Sequence, residues 1–213
     1  MAAVFASPNI AARDPDPTVE RRRQPPLRGD VFLLSLSGAG FFGAMVGNGL
    51  GGFLVLSLTS RGTSLSTAGA VATAGAALNI AVRLAAGWLI GRVPRAAWAA
   101  LTGMFATGAA GTALLTPTSL TLTTVGAMLA YGGGWGWAGL LHYVIGLPYE
   151  GQEQRATAYS QMGVSLGAAT GPLACGVLFT VNAAAAWWAM TAAGAAAIVC
   201  VLIARNRAVR ASR

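Results

Sequence analysis

One arginine lies deep inside a long apolar run. Arg83 sits in ALNIAVRLAAGWLIGR, about eight residues before the polar break at Gly91, which is roughly 12 Å of helix. A charge near the centre of a bilayer costs about 2.5–3.5 kcal/mol even on the lenient insertion scale, so such a residue points to function. Asn79 precedes it by one helical turn and shares its face. A guanidinium presents a planar fork that matches a carboxylate bidentately. Asn79 and Arg83 together predict an anion contact in a water-filled cavity. The competing structural role is an arginine that ties helix ends together through backbone carbonyls.

His142 is the single histidine in the chain. At helical spacing it shares a face with Tyr131, Trp135 and Ala138. An imidazole there suits proton relay or the lining of a cavity, or a hydrogen-bonded place near the interface. Asn48, Gln161 and Ser165 are further polar groups inside apolar segments, and Trp135 and Trp137 are rings that stack on a substrate or pack. Trp187 and Trp188 open the last apolar segment and read as interfacial residues. Gly163 to Gly167 spell G-x-S-x-G. A nucleophile elbow needs a strand-to-helix turn, and this stretch lies within a helical pattern. No acidic residue falls inside an apolar segment, so a carboxylate proton relay is excluded from them. Cys175 and Cys200 have no metal-ligand spacing and form no disulfide framework. The expectation is therefore a protein that is not an enzyme, with no cofactor and no metal.

These groups need elements to hold them. Of 213 residues, 55% are hydrophobic and only 9% charged, against about 25% charged in an average soluble protein. So few charges cannot cover a water-exposed globule. All 14 basic residues are arginine, and the net charge is +8. They cluster at the chain ends and in short gaps, with no basic stripe, so nucleic acid is not the partner. Six apolar segments remain, at about 31–57, 66–90, 97–115, 121–146, 156–180 and 183–204. Each approaches or exceeds the roughly 20 residues that a helix needs to cross the hydrocarbon layer. None has the polar face of a soluble bundle helix. The expected fold is an all-α membrane protein with six transmembrane helices over 31–205. A disordered tail is expected at 1–30 and a short C-terminal tail at 206–213.

Six crossings put both termini on one side. That side collects twelve arginines, the other only Arg61, and Arg83 stays inside. The positive-inside rule then makes both termini cytoplasmic and the location the cytoplasmic membrane. Gly43, Gly47 and Gly51 recur every four residues in the first segment, as do Gly163, Gly167 and Gly171 in the fifth. Such ladders let helix backbones approach closely in lipid. The first and fourth segments are the richest in glycine, with GAGFFGAMVGNGLGG and YGGGWGWAG. Paired glycine-interrupted helices at corresponding positions point to two inverted three-helix repeats of a transporter.

The stretch from Thr63 to Arg95 resembles the eighth helix and following loop of a major facilitator superfamily transporter. In the loop pattern G-x-L-x-D-R-x-x-R, Gly87, Leu89, Arg92 and Arg95 match, and Gly91 stands at the Asp position. Asn79 and Arg83 resemble the N-x-x-x-R of organic-anion members such as the oxalate/formate antiporters, whose arginine contacts substrate. The lysine that partners it there has no counterpart here. Residues 133–176 are similar to the tenth and eleventh helices of cyanate-type members. Gly167, Gly171, Pro172 and Gly176 echo the family's helix-packing element G-x-x-x-G-P.

The resemblance covers about 31–205 and implies half of the twelve-helix fold, whose substrate path runs between two six-helix halves. It implies transport of a small organic anion by alternating access. Arg83 would hold the substrate, with Asn79, Asn48, His142, Trp135 and Gln161 along the path. A second six-helix half, from another chain or a second copy, is the expected partner beside the lipid bilayer. The alternative is a truncated remnant or membrane interaction subunit without transport of its own.

Overall fold

A computed structural model describes residues 30–149 and 151–211. The expected tail at 1–29 lies outside them. Among the described residues there are seven α-helices: α1 (Val31–Thr59), α2 (Leu65–Arg92), α3 (Ala97–Ala113), α4 (Leu120–Gly132), α5 (Ala138–Gly146), α6 (Glu153–Val181) and α7 (Ala183–Ala211), with a 3-10 turn at Pro94–Ala96 before α3. Start signals agree with the chemistry of helix ends. Asp30 caps α1 by accepting from the Phe32 amide, and Ser64 caps α2 by accepting from the Thr67 amide. The α1–α2 turn reverses at Gly62, whose φ of +87° suits a residue without a Cβ.

Four helices, α1, α2, α6 and α7, are long and apolar enough to cross a membrane. The 17 residues of α3 stand at the lower limit of the usual range of about 17–25. The fourth expected segment is not one helix. It breaks over 133–137 into α4 and α5. Gly132, Gly133, Gly134 and Gly136 fall at the break, and each glycine disfavours a helix by roughly 1 kcal/mol relative to alanine. At the other end of the chain α7 continues past the apolar run through 206–211.

A break at membrane depth frees backbone carbonyls that lipid cannot satisfy. Here they find donors. The Asn79 amide donates to Tyr131 O at 2.9 Å, and Arg83 donates to Trp135 O at 2.8 Å. Trp137 Nε1 donates to Gly134 O, and the Gly136 amide donates to Gly133 O.

Contacts between helices give their directions. Along α1 and α6, Ser37, Phe41 and Met45 face Gly163, Gly167 and Gly171 in that order, so the pair is parallel. Along α2 and α4, Asn79 meets Tyr131 and Arg83 meets Trp135, so this pair is parallel too. Gly38 opposes Cys200 while Ser57 accepts from Trp187 Nε1, so α1 and α7 are antiparallel. Gly108 opposes Gly134 while Gly111 opposes Ala130, so α3 and α4 are antiparallel. Ala109 meets Gly194 and Thr112 meets Thr191, which makes α3 and α7 antiparallel. Exchanging α1, α2 and α3 with α4–α5, α6 and α7 reproduces this pattern: α1·α6 becomes α4·α2, α1·α7 becomes α4·α3, and α3·α7 maps onto itself. The helices α1, α2 and α3 thus run opposite to their counterparts α4–α5, α6 and α7.

Its core runs along α1, α3 and α7. Half of the most apolar stretch of α1 is buried, against 17% in α2 and in α6. Trp187 belongs to this core, fully buried and bonded to Ser57, while its neighbour Trp188 is 56% exposed. Burial in the core removes Trp187 from the interfacial belt expected of the pair.

Candidate functional site

A groove is left where α2 runs beside α5. Gly87, Gly91, Gly136 and Gly139 line a groove of about 560 Å3. A Cβ built on Gly87, Gly91 or Gly139 would meet nothing within 4 Å. Arg83 stands at the inner end of this groove, Pro94 at the outer end, and Tyr143 along the wall. The volume falls within the roughly 300–1,000 Å3 of small-molecule pockets. Arg83 has five N–H donors, and the described contacts commit one nitrogen, to Trp135 O. The side chain is exposed, so the rest of its fork is open to a ligand. Its hydrogen bond to a carbonyl of the broken helix is the tie expected of it, and the same side chain lines the groove.

Asn79 stands one turn further in, half-buried, and is occupied by Tyr131 O. The remaining expected residues spread out. Asn48 donates to Ala44 O within α1. Trp135 lies against α1, where Cβ atoms on Gly47 and Gly51 would sit 3.1 and 3.0 Å from its ring. It also stacks at a tilt on Tyr131, with centroids 5.8 Å apart. His142 is on α5, beyond the break that interrupts the face it shares with Tyr131 and Trp135 in the sequence. Its Nε2 is buried without a hydrogen-bond partner. Gln161 and Ser165 are exposed on α6, which packs on α1 rather than on α2. Ser165 is in mid-helix, not on a strand-to-helix turn. Among the described residues no group of histidine, cysteine and acidic side chains could hold a metal.

The loop motif divides in the same way. Gly87 lines the groove, and Arg92 stacks over the Trp88 ring at 3.9 Å. The helix-packing motif divides as well. Gly167 and Gly171 touch α1 backbone, whereas a Cβ on Gly176 would meet only the Phe53 ring edge at 3.4 Å. Sequence reasoning missed that the Gly43, Gly47 and Gly51 ladder receives aromatic rings, from Phe105, Trp137 and Trp135, and does not face the glycines of α6. The aromatic content of GGGWGW was the available signal.

Four helices long and apolar enough to cross a membrane, in an all-helical bundle, suggest a multi-pass membrane protein. The sequence model of the Major Facilitator Superfamily matches residues 32–213, and the chain belongs to that family. No curated protein matches the chain.

Proposed function

We propose that the chain forms six crossings of the cytoplasmic membrane, with α4 and α5 acting as one interrupted crossing, and that it moves a small organic anion as half of a secondary transporter. The observation that carries this reading is the unspent guanidinium of Arg83 at the inner end of the α2–α5 groove. An anion there would meet the one cation the bilayer interior contains among the described residues, and transporters bind substrates beside interrupted helices near mid-membrane. Positive-inside counting supports both termini as cytoplasmic. In support, Asp30 before α1 and Arg207 near the end of α7 line one cavity at the same end. The exposed apolar side chains of α2 and α6, such as Ile80, Leu84, Leu166 and Leu173, suit a second six-helix half, from a second copy or another chain.

The test is counterflow of labelled mono- and dicarboxylates in proteoliposomes made with the assembled protein. Arg83→Gln is expected to lower uptake by about a hundredfold, the loss of a charge-assisted pair of roughly 3 kcal/mol, with normal insertion and helix content. Unchanged uptake of a transported anion by Arg83→Gln would remove Arg83 from the substrate path. Uptake of cationic or neutral solutes alone would overturn the anionic class.

A further inference from the structure

A second cavity lies at the end of the bundle where α1 begins and α7 ends. It measures about 800 Å3 and opens between the start of α1, the α5–α6 loop and the end of α7. Phe32 and Leu147 are among its apolar walls, and its polar rim holds Asp30, Tyr149, Arg207 and Arg210. The apolar run of α7 ends near Ala204, so Arg207 stands about 5 Å beyond it at 1.5 Å per residue. That is the level at which hydrocarbon gives way to headgroups.

The acidic residue on the rim is already engaged. Asp30 accepts from the Phe32 amide and from the Tyr149 hydroxyl. Burial and the adjoining carboxylate push the Tyr149 hydroxyl well above its ordinary pKa, so it stays a donor to Asp30. The arginines are not engaged. Neither the Arg207 nor the Arg210 side chain makes a hydrogen bond or ion pair among the described residues. They are three residues apart on α7 and therefore neighbours on one face. Two unpaired guanidiniums above an apolar wall match an anionic headgroup whose acyl chain descends beside the bundle. Basic pockets between membrane helices on the cytoplasmic side are suited to such lipids.

We infer that this cavity is a binding site for the phosphate headgroup of an anionic membrane phospholipid, held by Arg207 and Arg210, with the start of an acyl chain against Phe32 and Leu147. The site is separate from the α2–α5 groove and does not depend on what that groove carries. Bound lipid would bridge the first and last helices of the chain.

The full-length protein in non-ionic detergent is titrated with phosphatidylglycerol, with phosphatidylcholine of the same chains, and with inorganic phosphate. Thermal stability and native mass spectrometry are the readouts. Phosphatidylglycerol is expected to raise the melting temperature and to remain as a one-to-one adduct, and the other two are not. Arg207→Gln with Arg210→Gln should weaken the phosphatidylglycerol effect by about tenfold or more, while Arg92→Gln with Arg95→Gln, which removes the same charge at the same end, should change it by less than about twofold. Ala208→Phe, which fills the cavity without changing charge, should weaken it as well and decides the matter if the double arginine variant does not fold. Equal protection by inorganic phosphate would make this a soluble-anion site and overturn the lipid assignment. Equal protection by phosphatidylcholine, or equal losses in the two double variants, would reduce the effect to general membrane affinity and overturn the site.

Discussion

The α1–α6 and α2–α4 crossings are both parallel, and the exchange of α1, α2 and α3 with α4–α5, α6 and α7 turns one into the other. They are built by different means. At α1–α6 the backbones touch. A Cβ on Gly163 would come within 2.6 Å of Ser37 O, and one on Gly167 or Gly171 would overlap Phe41 O or Met45 O. Contact there comes from the absence of side chains, which lets dispersion act between main chains in a solvent with no hydrophobic drive toward association. At α2–α4 the contact is made by side chains, the Tyr131 ring against Gly75 and two that donate. Asn79 and Arg83 reach across to two carbonyls of the broken helix. A glycine crossing makes a rigid seam with one register. A hydrogen-bonded crossing leaves space, and the α2–α5 groove lies along its continuation. Symmetry in the layout thus coexists with asymmetry in what each crossing can do.

The largest expected effect is on the glycine seam. Gly167→Val must push α6 away from Phe41 O, because backbone cannot move aside as a flexible side chain can. We expect a loss of about 3 kcal/mol, seen as early melting of helix content and loss of a monodisperse peak in detergent. Full stability in that variant would break the account of the seam. A smaller effect is expected at the other crossing. Asn79→Leu leaves Tyr131 O without its donor, and interhelical hydrogen bonds in membranes contribute about 0.6 kcal/mol on average and at most about 1.7. Reversible unfolding in a denaturing detergent would measure this. A loss as large as that of Gly167→Val would mean that the two crossings do not differ in kind. The smallest effect is expected at Gly176. Its place for a Cβ is open to ordinary contact with Phe53, and alanine favours a helix by up to about 1 kcal/mol over glycine. Gly176→Ala should leave stability unchanged or slightly raised, and a marked drop would extend the seam one turn further than the geometry does.

Much of this was legible in the chain. Low charge and long apolar segments predict a membrane bundle, and the placement of arginine predicts that the ends lie together. The glycines at 163, 167 and 171 announce a close approach without naming the surface approached. The partners of Arg83 and Asn79 lie 52 residues away, and no local spacing identifies a carbonyl as the acceptor. Trp187 and Trp188 look alike in sequence, yet helix rotation against α1 buries one and exposes the other. The glycines of the fourth segment were visible, but whether glycine loosens a helix or breaks it depends on donors that stand ready nearby.

By itself, then, the sequence determined the solvent. With 9% charged residues the chain can bury its surface only in lipid, and its apolar lengths set the spacing of the passes. Only the tertiary structure decided how each polar group is used. It bonded Arg83 to a carbonyl beside a groove, left the Arg207 and Arg210 side chains without a partner among the described residues, and placed Gln161 on a different helix from the groove. The physical reason is that composition acts through solvation, which sums over residues one by one. Hydrogen bonds and close contacts act between pairs, and pairs exist only after the helices have crossed.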